Sequence, residues 1–555
     1  MRLRKWIAFA SLFEAFAFTC AWGISLLKQP LVINLDTACI LHFGRAMRDG
    51  AVPYVDFYDL NPPLTLYLHL WPAMVANFLN LHAIVTFKIL LVCLTFLSIG
   101  LSALVLRRTF ASAQCVYAAG ILLCESLFGF ISAAEFGQRE HMFALLFMPF
   151  FLVRWRRAEG EQPSVFLALL CGVLAGVGLC IKFYFLLIPL FLELYWLLER
   201  KRFDNLLKTE MFACAASFVL CALQTALLPA ASKKMFYEFI VPHTVSGYAG
   251  FNADIWRAVL MKDYQDIPLL SILLCCYLIF IRKSSRLFIP YALWILAGYL
   301  IFVIQAKCWP YHILPLVFGI CLSGAGVVLA LALKNARTLL SKSAKPPQAD
   351  ALDERSEYFV SLALLAVTSV LCLFTVVGQV KNLPAVVDAL SIREHEPAST
   401  ANSGLTRAID KLSASDETVA LIKKYSLPGE GVLFINTGIS PGYPATCQLS
   451  RPVGSRYAHL QVIAFIEYEK AHSTTNEHTA ALQKDEDAVL EAVATDVEKF
   501  KPRLIFIKQT IYQGCPPGFS LDNCLQRNGR LEQILKGYEL VDSNLNLKTY
   551  RRSGV

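Results

Sequence analysis

The sequence has few charged residues for its length. Only 17% of its 555 residues are Asp, Glu, Lys or Arg, whereas 56% are hydrophobic and the mean hydropathy is +0.51. This composition excludes an ordinary soluble globular protein. Apolar runs of about 20 residues, the length that crosses about 30 Å of hydrocarbon, recur through the first two-thirds of the chain. The sequence therefore predicts an α-helical polytopic membrane protein.

Several features of other protein classes are also absent. We find no internal repeat and no low-complexity segment. No small-residue cleavage site ends the first apolar run, which follows the basic start MRLRKW, so we expect an uncleaved signal anchor with a cytoplasmic N-terminus. The net charge of +9 comes from Lys and Arg in short loops between apolar runs, and it does not indicate a nucleic-acid partner.

Most of the 17 cysteines lie inside the apolar runs, where Cys acts as a small apolar residue. Only Cys447, Cys515 and Cys524 lie in the polar C-terminal part. A disulfide between Cys515 and Cys524 is one of two open alternatives, and it requires that this part be extracytoplasmic.

The basic clusters predict the orientation of the chain. They are Arg107–Arg108, Arg154–Arg157, Glu199–Arg202, Arg282–Arg286 and Lys334–Lys345. Placing all of them in the cytoplasm gives about eleven crossings, at 6–27, 83–106, 110–131, 138–153, 164–182, 184–198, 208–229, 266–281, 287–304, 311–333 and 357–378. An odd number of crossings puts the C-terminus on the far side. The apolar stretch Leu64–Leu79 is left over, and we expect it to lie at the interface or to re-enter.

The composition changes at Gln379, which predicts two domains. Residues 1–378 form the transmembrane domain, with a first periplasmic loop at 28–82, and residues 379–555 form a periplasmic α/β domain. The predicted strands are 431–436, 502–508, 538–543 and 547–552, and helices are expected near 401–424, 459–470 and 484–499.

Polar side chains collect in the loops on the far side of the predicted membrane. These candidate residues are Asp36, Asp56, Glu135, Arg139, Glu140, His141, Lys182, Tyr184, His243, Lys307, Tyr311 and His312. Ionisable groups beside a membrane are costly and are read first as functional. Because five separate loops contribute to one face, we expect a shared cavity.

Structural alternatives exist for single members of this set. A lone lysine near a helix end, such as Lys182, usually extends to the lipid headgroups. Tyr311 alone would be an ordinary interfacial aromatic residue, and Glu140 alone would be a partner for Arg139 or Lys182. The mixture of acids, bases and histidines on the side poor in charge favours a functional site.

Such a mixture suits glycosyl transfer from a lipid-linked donor. Lys and Arg at the headgroup level bind phosphate, and a carboxylate can take the proton from an acceptor hydroxyl. A polyprenyl-phosphate sugar meets both requirements, because its tail lies in the bilayer and its phosphate is the leaving group. We assign Lys182, Lys307 and Arg139 to that phosphate, and His243 and His312 to acceptor contacts.

Motifs in the first loop carry a family resemblance. NLDTA at 34–38, G-x-x-P-Y-x-D at 50–56 and N-P-P-L at 61–64 resemble the first periplasmic loop of the GT-C glycosyltransferases, in the branch of the lipid A aminoarabinose transferase and the protein O-mannosyltransferases. The resemblance implies that Asp36 is the catalytic base or positions the acceptor, that Asp56 supports it, and that Glu135 is the second acid. Thr37 replaces the acidic partner frequent after this aspartate, so we expect no required metal. A divalent cation at Asp36, Asp56, Glu135 and His141 stays open.

The predicted function is sugar transfer from a polyprenyl-phosphate donor to lipid A, a glycan or a protein on the periplasmic side of the bacterial inner membrane. The absence of a separate nucleophile pair predicts a single displacement with inversion. One alternative is a transporter or flippase of lipid-linked saccharides, which would place ionisable groups near the middle of the membrane. The other is a non-catalytic envelope assembly protein.

Overall fold

The computed structural model describes residues 2–112, 114–201, 203–264, 266–281, 288–343, 349–393, 404–508, 515–544 and 547–554. The predicted basic cluster Arg282–Arg286 lies outside these residues, as do Arg202 and the end of the cluster Lys334–Lys345. Helices make up most of the described chain, and short strands occur near its C-terminus.

The helices alternate with short turns along the chain. In the first half they are α1 (Arg2–Leu27), α2 (Leu35–Arg48), α3 (Pro63–Leu79), α4 (Ala83–Phe110), α5 (Cys115–Ile131), α6 (Arg139–Ala158), α7 (Val165–Ile181), α8 (Leu187–Arg200), α9 (Thr209–Ala222), α10 (Gln224–Leu227), α11 (Ala230–Lys234) and α12 (Val241–Ser246). In the second half they are α13 (Ile255–Val259), α14 (Asp266–Ile281), α15 (Phe288–Gln305), α16 (Leu314–Ser343), α17 (Ala349–Val380), α18 (Leu383–Ser391), α19 (Gly404–Ser413), α20 (Glu417–Tyr425), α21 (Gly442–Gln448), α22 (Gln461–His472), α23 (Asn476–Phe500), α24 (Leu521–Gln526) and α25 (Arg530–Ile534).

The four predicted strands are all present in the C-terminal part. They are β1 (Val432–Ile435), β2 (Leu504–Lys508), β3 (Tyr538–Ser543) and β4 (Leu547–Arg552), and they form one sheet in the order β1-β2-β4-β3. β1 and β2 are parallel and fully or almost fully buried, as continuous apolar strands of parallel sheets usually are. The predicted helices are also present, as α19, α20, α22 and α23, so the α/β character of this part is confirmed.

Six helical segments among the described residues are long and apolar enough to cross a membrane. They are Leu3–Leu27, Ala83–Phe110, Thr209–Leu227, Phe288–Gln305, Pro310–Ser341 and Glu354–Val380. A bent pair, Ile255–Tyr264 with Asp266–Phe280, counts as a seventh if it is one span, and α5 and α7 are shorter apolar helices. The prediction of a helical polytopic membrane protein is thereby confirmed. The count of about eleven crossings stays a prediction, because α6 is charged at both ends and α8 has only 14 residues.

The chain divides into two compact units. Unit 1 consists of Met1–Lys28, Lys88–Leu223 and Ala253–Val386, and unit 2 consists of Gln29–Phe87, Gln224–Asn252 and Val387–Val555. Unit 2 thus joins most of the predicted first loop to part of the loop 230–265 and to the C-terminal α/β part. The predicted domain boundary between residues 378 and 379 stays a prediction.

Glycines allow α7 and α9 of unit 1 to pack closely. A Cβ atom on Gly176 would lie 2.0 Å from Oγ of Ser217, and one on Gly172 would lie 2.4 Å from the carbonyl oxygen of Glu210. Small residues four positions apart permit such close approach of helices in membranes. This contact fixes the end of α7, which Lys182 follows directly.

The basic cluster at the end of α6 joins three helices of unit 1. Arg154 binds the two carboxylate oxygens of Glu193 at 2.7 and 2.6 Å and one oxygen of Glu210 at 2.8 Å. Arg157 binds the same Glu210 at 2.9 and 3.0 Å. Since Glu210 is fully buried, these charge-assisted bonds satisfy a carboxylate that solvent does not reach. The cluster therefore has a structural role within the unit.

In unit 2, α3 has two different faces. Its inner face packs on α2, where a Cβ atom on Gly44 would lie 2.5 Å from the carbonyl oxygen of His69. Its outer face exposes Trp71, Met74 and Phe78, which share one side of a helix. An exposed apolar face on a helix of 17 residues fits the interfacial position that the sequence predicted for this stretch.

Candidate functional site

Three of the predicted polar loops meet within unit 1. α6 begins at Arg139 and places Glu140 in its first turn, α7 ends just before Lys182, and the short 3-10 helix Pro310–Ile313 follows Lys307. We call the resulting group the cation cluster. Its members are Arg139, Glu140, Lys182, Lys307, Tyr311 and His312.

Lys182 is bound to a buried carboxylate. Its Nζ donates to Oε1 of Glu140 at 2.5 Å and to Oε1 of Gln305 at 3.1 Å. Glu140 has no exposed surface, and its Oε2 has no hydrogen-bond partner among the described residues. Of the two partners that the sequence left open for Glu140, the structure therefore selects Lys182. Gln305 was missed, although a polar amide that ends an apolar helix is a usable signal.

An aromatic ring lies between the two cationic loops. Nζ of Lys182 lies 5.1 Å from the ring centroid of Tyr311, and Cζ of Arg139 lies 6.0 Å from it. The ring of His312 stands nearly perpendicular to that of Tyr311 at 4.5 Å. Cations within about 6 Å of an aromatic face are attracted by its quadrupole. Tyr311 thus holds both cations beside His312.

His312 lies in a strongly positive environment. The charges of Lys182, Arg139 and Lys307 all act on it. The residue is 2% exposed, and its Nδ1 has no hydrogen-bond partner among the described residues. A buried imidazole with an unsatisfied nitrogen, next to three cationic side chains, suits an anionic ligand.

Lys307 sits on a strained backbone. Its neighbours Ala306 and Cys308 have φ values of +51° and +56°, in the left-handed region that residues with a Cβ rarely adopt. Each such residue costs about 1–3 kcal/mol, and such strain clusters at functional sites. Lys307 is itself buried, and burial lowers the pKa of its ammonium group to about 8.

Glu135 and His141 belong to one turn beside the cation cluster. Glu135 lies half-buried on the 3-10 helix Ala133–Glu135, and its charge acts on Tyr264. His141 is fully buried, and its Nδ1 accepts a hydrogen bond from the backbone N–H of Gly137 at 3.2 Å. The imidazole thus holds the turn that carries Glu135. Tyr184, 42% exposed on the 3-10 helix Phe183–Leu186, faces outward.

In unit 2, Asp36 lies at the start of a helix. Asn34 caps α2, and its side chain accepts a hydrogen bond from the backbone N–H of Asp36 at 2.9 Å. The carboxylate of Asp36 is half-buried in the first turn. The positive end of the helix dipole stabilises a negative charge at this position.

A second aspartate, Asp59, shares the neighbourhood of Asp36. Burial, followed by the charges of Asp59 and Asp36, raises the pKa of the Cys39 thiol well above its usual value. Asp59 is 4% exposed and accepts a hydrogen bond from the backbone N–H of Asn61 at 2.5 Å. Asp59 was not among the predicted site residues, because the motif alone does not show which aspartate is buried.

Asp56 has a different environment within the same loop. It is exposed, and its Oδ2 accepts a hydrogen bond from the backbone N–H of Val52 at 2.7 Å, which closes the Pro-Tyr turn. Its charge also acts on Arg456, whose guanidinium binds both carboxylate oxygens of Asp496 at 2.8 and 3.0 Å. The structure therefore gives Asp56 a turn-forming contact.

His243 is held by two carboxylates of unit 2. Its Nδ1 lies 2.8 Å from Oε1 of Glu469, and its Nε2 lies 3.3 Å from Oδ2 of Asp485. The side chain is almost fully buried. These contacts join α12 to α22 and α23, and they occupy both ring nitrogens.

The described residues contain neither a cluster arranged to hold a metal ion nor a disulfide between Cys515 and Cys524. No group of three or more His, Cys, Asp or Glu side chains within them is arranged to hold a metal ion, and metal independence stays a prediction. No disulfide joins Cys515 to Cys524. The buried Cys524 thiol instead donates to Oε1 of Glu486 at 3.2 Å, and burial together with that carboxylate raises its pKa.

A family match connects part of the chain with sugar transfer. The model of Glycosyltransferase family 87, a GT-C-type family, matches residues 60–282. This match supports a membrane glycosyltransferase. Among solved structures, the apo oligosaccharyltransferase of Archaeoglobus fulgidus is similar, with a TM-score of 0.42 and 12% identity over 89% of this chain and 69% of that chain. The sequence matches no curated protein significantly.

The matched region covers part of the candidate residues. It contains Glu135, Arg139 and Lys182, whereas Asp36 precedes it and Lys307 follows it. The GT-C relationship is thereby supported at the level of the superfamily. The narrower branch of aminoarabinose and O-mannosyl transferases stays a prediction.

Proposed function

We propose that this protein transfers a sugar from a polyprenyl-phosphate donor to a cell-envelope acceptor at the periplasmic face of the bacterial inner membrane. The observation that carries the proposal is the cation cluster, in which Lys182, Arg139 and Lys307 act on the buried His312. The Nδ1 atom of this buried imidazole has no hydrogen-bond partner among the described residues, and a buried polar atom is costly unless a ligand or partner satisfies it. A lipid phosphate beside the membrane is an anion that lysine and arginine bind well.

The cluster would act on the leaving group. In the proposed single displacement, the acceptor oxygen forms a bond to the anomeric carbon while the bond from that carbon to the phosphate oxygen breaks. The electron pair of the broken bond passes to the phosphate, where Lys182, Lys307 and Arg139 neutralise it. Preorganised charges aimed at developing negative charge are usually the largest catalytic contribution.

Asp36 is the proposed base that takes the proton of the acceptor hydroxyl. It lies in the first turn of α2, and a carboxylate is a group that can accept the proton of a hydroxyl. We retain Glu135 as a supporting acid on its own turn. Asp59 is a better supporting candidate than Asp56, because Asp59 is buried and shares the surroundings of Cys39 with Asp36, whereas Asp56 closes an exposed turn.

The remaining candidates have supporting roles in the proposal. Tyr311 positions the cations, His312 lies where an anion would bind, and Tyr184 is placed to contact the lipid. His141 positions the Glu135 turn. Because both nitrogens of His243 face carboxylates, we now assign it to the packing of α12 on α22 and no longer to the acceptor.

The transporter alternative draws less support. It predicts ionisable groups near mid-membrane that bind cargo. Glu14, within α1, instead accepts hydrogen bonds from Thr368 and Ser369 at 2.5 Å each. A carboxylate satisfied by hydroxyls of a neighbouring helix has a structural role. The assembly-protein alternative predicts that no single polar residue is needed for sugar transfer.

The deciding experiment compares cell-envelope lipids and glycans by mass spectrometry in cells with and without the gene. We expect an envelope component that loses the mass of one sugar, and restoration by the wild-type protein. Arg139→Gln should fail to restore it, whereas Arg257→Gln, which removes an exposed cation of the same unit paired with Asp263, should succeed. An unchanged envelope, or full restoration by the Arg139 variant, would contradict the proposal.

A further inference from the structure

A second basic region of unit 1 lies far from the cation cluster. A pocket of about 150 Å³ is formed where α4 and α6 end and α7 begins, and it is lined by Arg107, Arg108 and Arg156. Glu140 and Arg156 are at opposite ends of α6, separated by about 25 Å along the helix axis. The pocket and the cation cluster are therefore about one membrane thickness apart.

The pocket contains one buried arginine with unsatisfied hydrogen-bonding capacity. Arg156 is 5% exposed and pairs with Glu161, yet its Nε has no hydrogen-bond partner among the described residues. The negative charge of Glu159 and the positive charge of Arg108 both act on it. A buried arginine whose Nε has no partner is suited to a further anion.

Two further arginines extend the positive charge toward solvent. Arg107 and Arg108 form the last turn of α4 and are exposed. Within the described residues neither of them forms an ion pair. Glu161 balances Arg156, so the pocket keeps an excess of positive charge.

The remaining wall combines a helix start with apolar side chains. Ser164 caps α7, accepting a hydrogen bond from the backbone N–H of Leu167 at 3.4 Å, and the helix N-terminus favours anions. Leu104 and Phe166 line the same pocket and are 54% and 76% exposed. Exposed apolar side chains next to arginines match the boundary between acyl chains and headgroups.

We infer that this pocket binds the phosphate group of an anionic phospholipid. Arg107 and Arg108 contact the phosphate from the exposed side, Arg156 contacts it from the buried side, and Leu104 and Phe166 contact the acyl chains. A soluble phosphate ion would present the same oxygen-rich anion to the arginines as the phosphate group of a lipid does. Only a lipid also uses the apolar wall.

The test measures lipid retention by the purified full-length protein in detergent with native mass spectrometry. Phosphatidylglycerol should be retained in preference to phosphatidylcholine, and Arg107→Gln with Arg108→Gln should reduce its retention roughly tenfold. The matched control is Lys334→Gln with Arg337→Gln, which removes two exposed charges of α16 from the same unit. The control should retain the lipid as the wild type does.

Three outcomes would overturn the inference. Equal losses in both double variants would indicate general surface charge, and equal retention of the two lipids would exclude recognition of an anion. Displacement of phosphatidylglycerol by millimolar inorganic phosphate, with no effect of Phe166→Ser on lipid retention, would identify a soluble phosphate site. Because Arg107 and Arg108 are exposed, their replacement leaves the packing of the unit intact, and unchanged thermal unfolding verifies this.

Discussion

The ammonium group of Lys182 lies 2.5 Å from Oε1 of Glu140, a carboxylate that has no exposed surface. Removing one partner of a buried ion pair is costly, because the other charge then remains buried alone. We expect Lys182→Met to lower the free energy of unfolding by about 3–5 kcal/mol. The double variant Lys182→Met with Glu140→Gln should lose much less, as measured by thermal unfolding of the purified protein.

An exposed lysine of the same unit provides the control. Lys208 pairs with Asp204 at 3.2 Å, and both side chains are solvent-accessible. Lys208→Met should change the free energy of unfolding by less than about 1 kcal/mol. If the double variant proved as unstable as Lys182→Met alone, the loss would come from the lysine stem and not from the unpaired carboxylate.

Lys307 predicts a pH dependence of donor use. Burial lowers the pKa of its ammonium group to about 8, so the group is charged below that pH and neutral above it. If the charged form binds the donor phosphate, kcat/KM for the donor should be constant at lower pH and fall as the pH rises through about 8. Lys307→Arg keeps its charge throughout this range and should remove the fall. A fall at the same pH in this variant would assign the titration to another group.

The contact between α7 and α9 predicts a matched pair of glycine variants. Gly176→Ala would place a Cβ atom 2.0 Å from Oγ of Ser217, whereas a Cβ atom on Gly100 of α4 would meet nothing within 4 Å. Gly176→Ala should therefore destabilise the protein by about 1–3 kcal/mol. Gly100→Ala should be neutral or stabilising by up to about 1 kcal/mol. Thermal unfolding of both variants tests this, and equal stability would contradict close packing at Gly176.

The sequence was sufficient for the elements with a simple pattern. Short segments between turn residues predicted all four strands. Those of β1 and β2 are continuous apolar runs, because a buried parallel strand needs continuous apolar residues. Long apolar runs likewise predicted the membrane helices. The polar residues of unit 1 were predicted to converge, since the predicted crossings would place the loops that carry Glu140, Lys182 and His312 on one face of the membrane.

Individual partners could not be predicted from the sequence. The choice of Lys182 over Arg139 as the partner of Glu140 depends on how α6 and α7 pack, which spacing along the chain does not encode. His243 faces Glu469 and Asp485, more than 200 residues later. No local pattern indicates a contact over that separation in the chain.

The aspartates of the first loop show a similar limit. Asp36, Asp56 and Asp59 are alike in the motif, yet Asp59 is buried beside Cys39 while Asp56 is exposed and closes a turn. The side chains of an irregular loop follow neither the two-residue alternation of a strand nor the 3.6-residue period of a helix. The spacing of the three aspartates therefore does not show which of them is buried. The choice between Asp56 and Asp59 as the supporting acid therefore required coordinates.

Asp36 gives the most direct test of the proposed chemistry. Asp36→Asn keeps the shape of the side chain and suits the start of a helix, so folding and membrane insertion should be unchanged. Loss of the base should lower kcat by about 100-fold or more, measured with a polyprenyl-phosphate sugar and a membrane extract as acceptor. Asp49→Asn, at the other end of α2 with a side chain that is 62% exposed, should retain wild-type activity.

Asp59→Asn distinguishes the role of Asp59 from that of Asp36. If Asp59 only supports Asp36, its variant should retain measurable turnover with the same pH profile, because the base is still present. A complete loss in Asp59→Asn with an active Asp36→Asn would move the role of base from Asp36 to Asp59. Equal activity of both variants and the wild type would leave the first loop without a catalytic carboxylate, and the proton would then have to pass to a group such as Glu135.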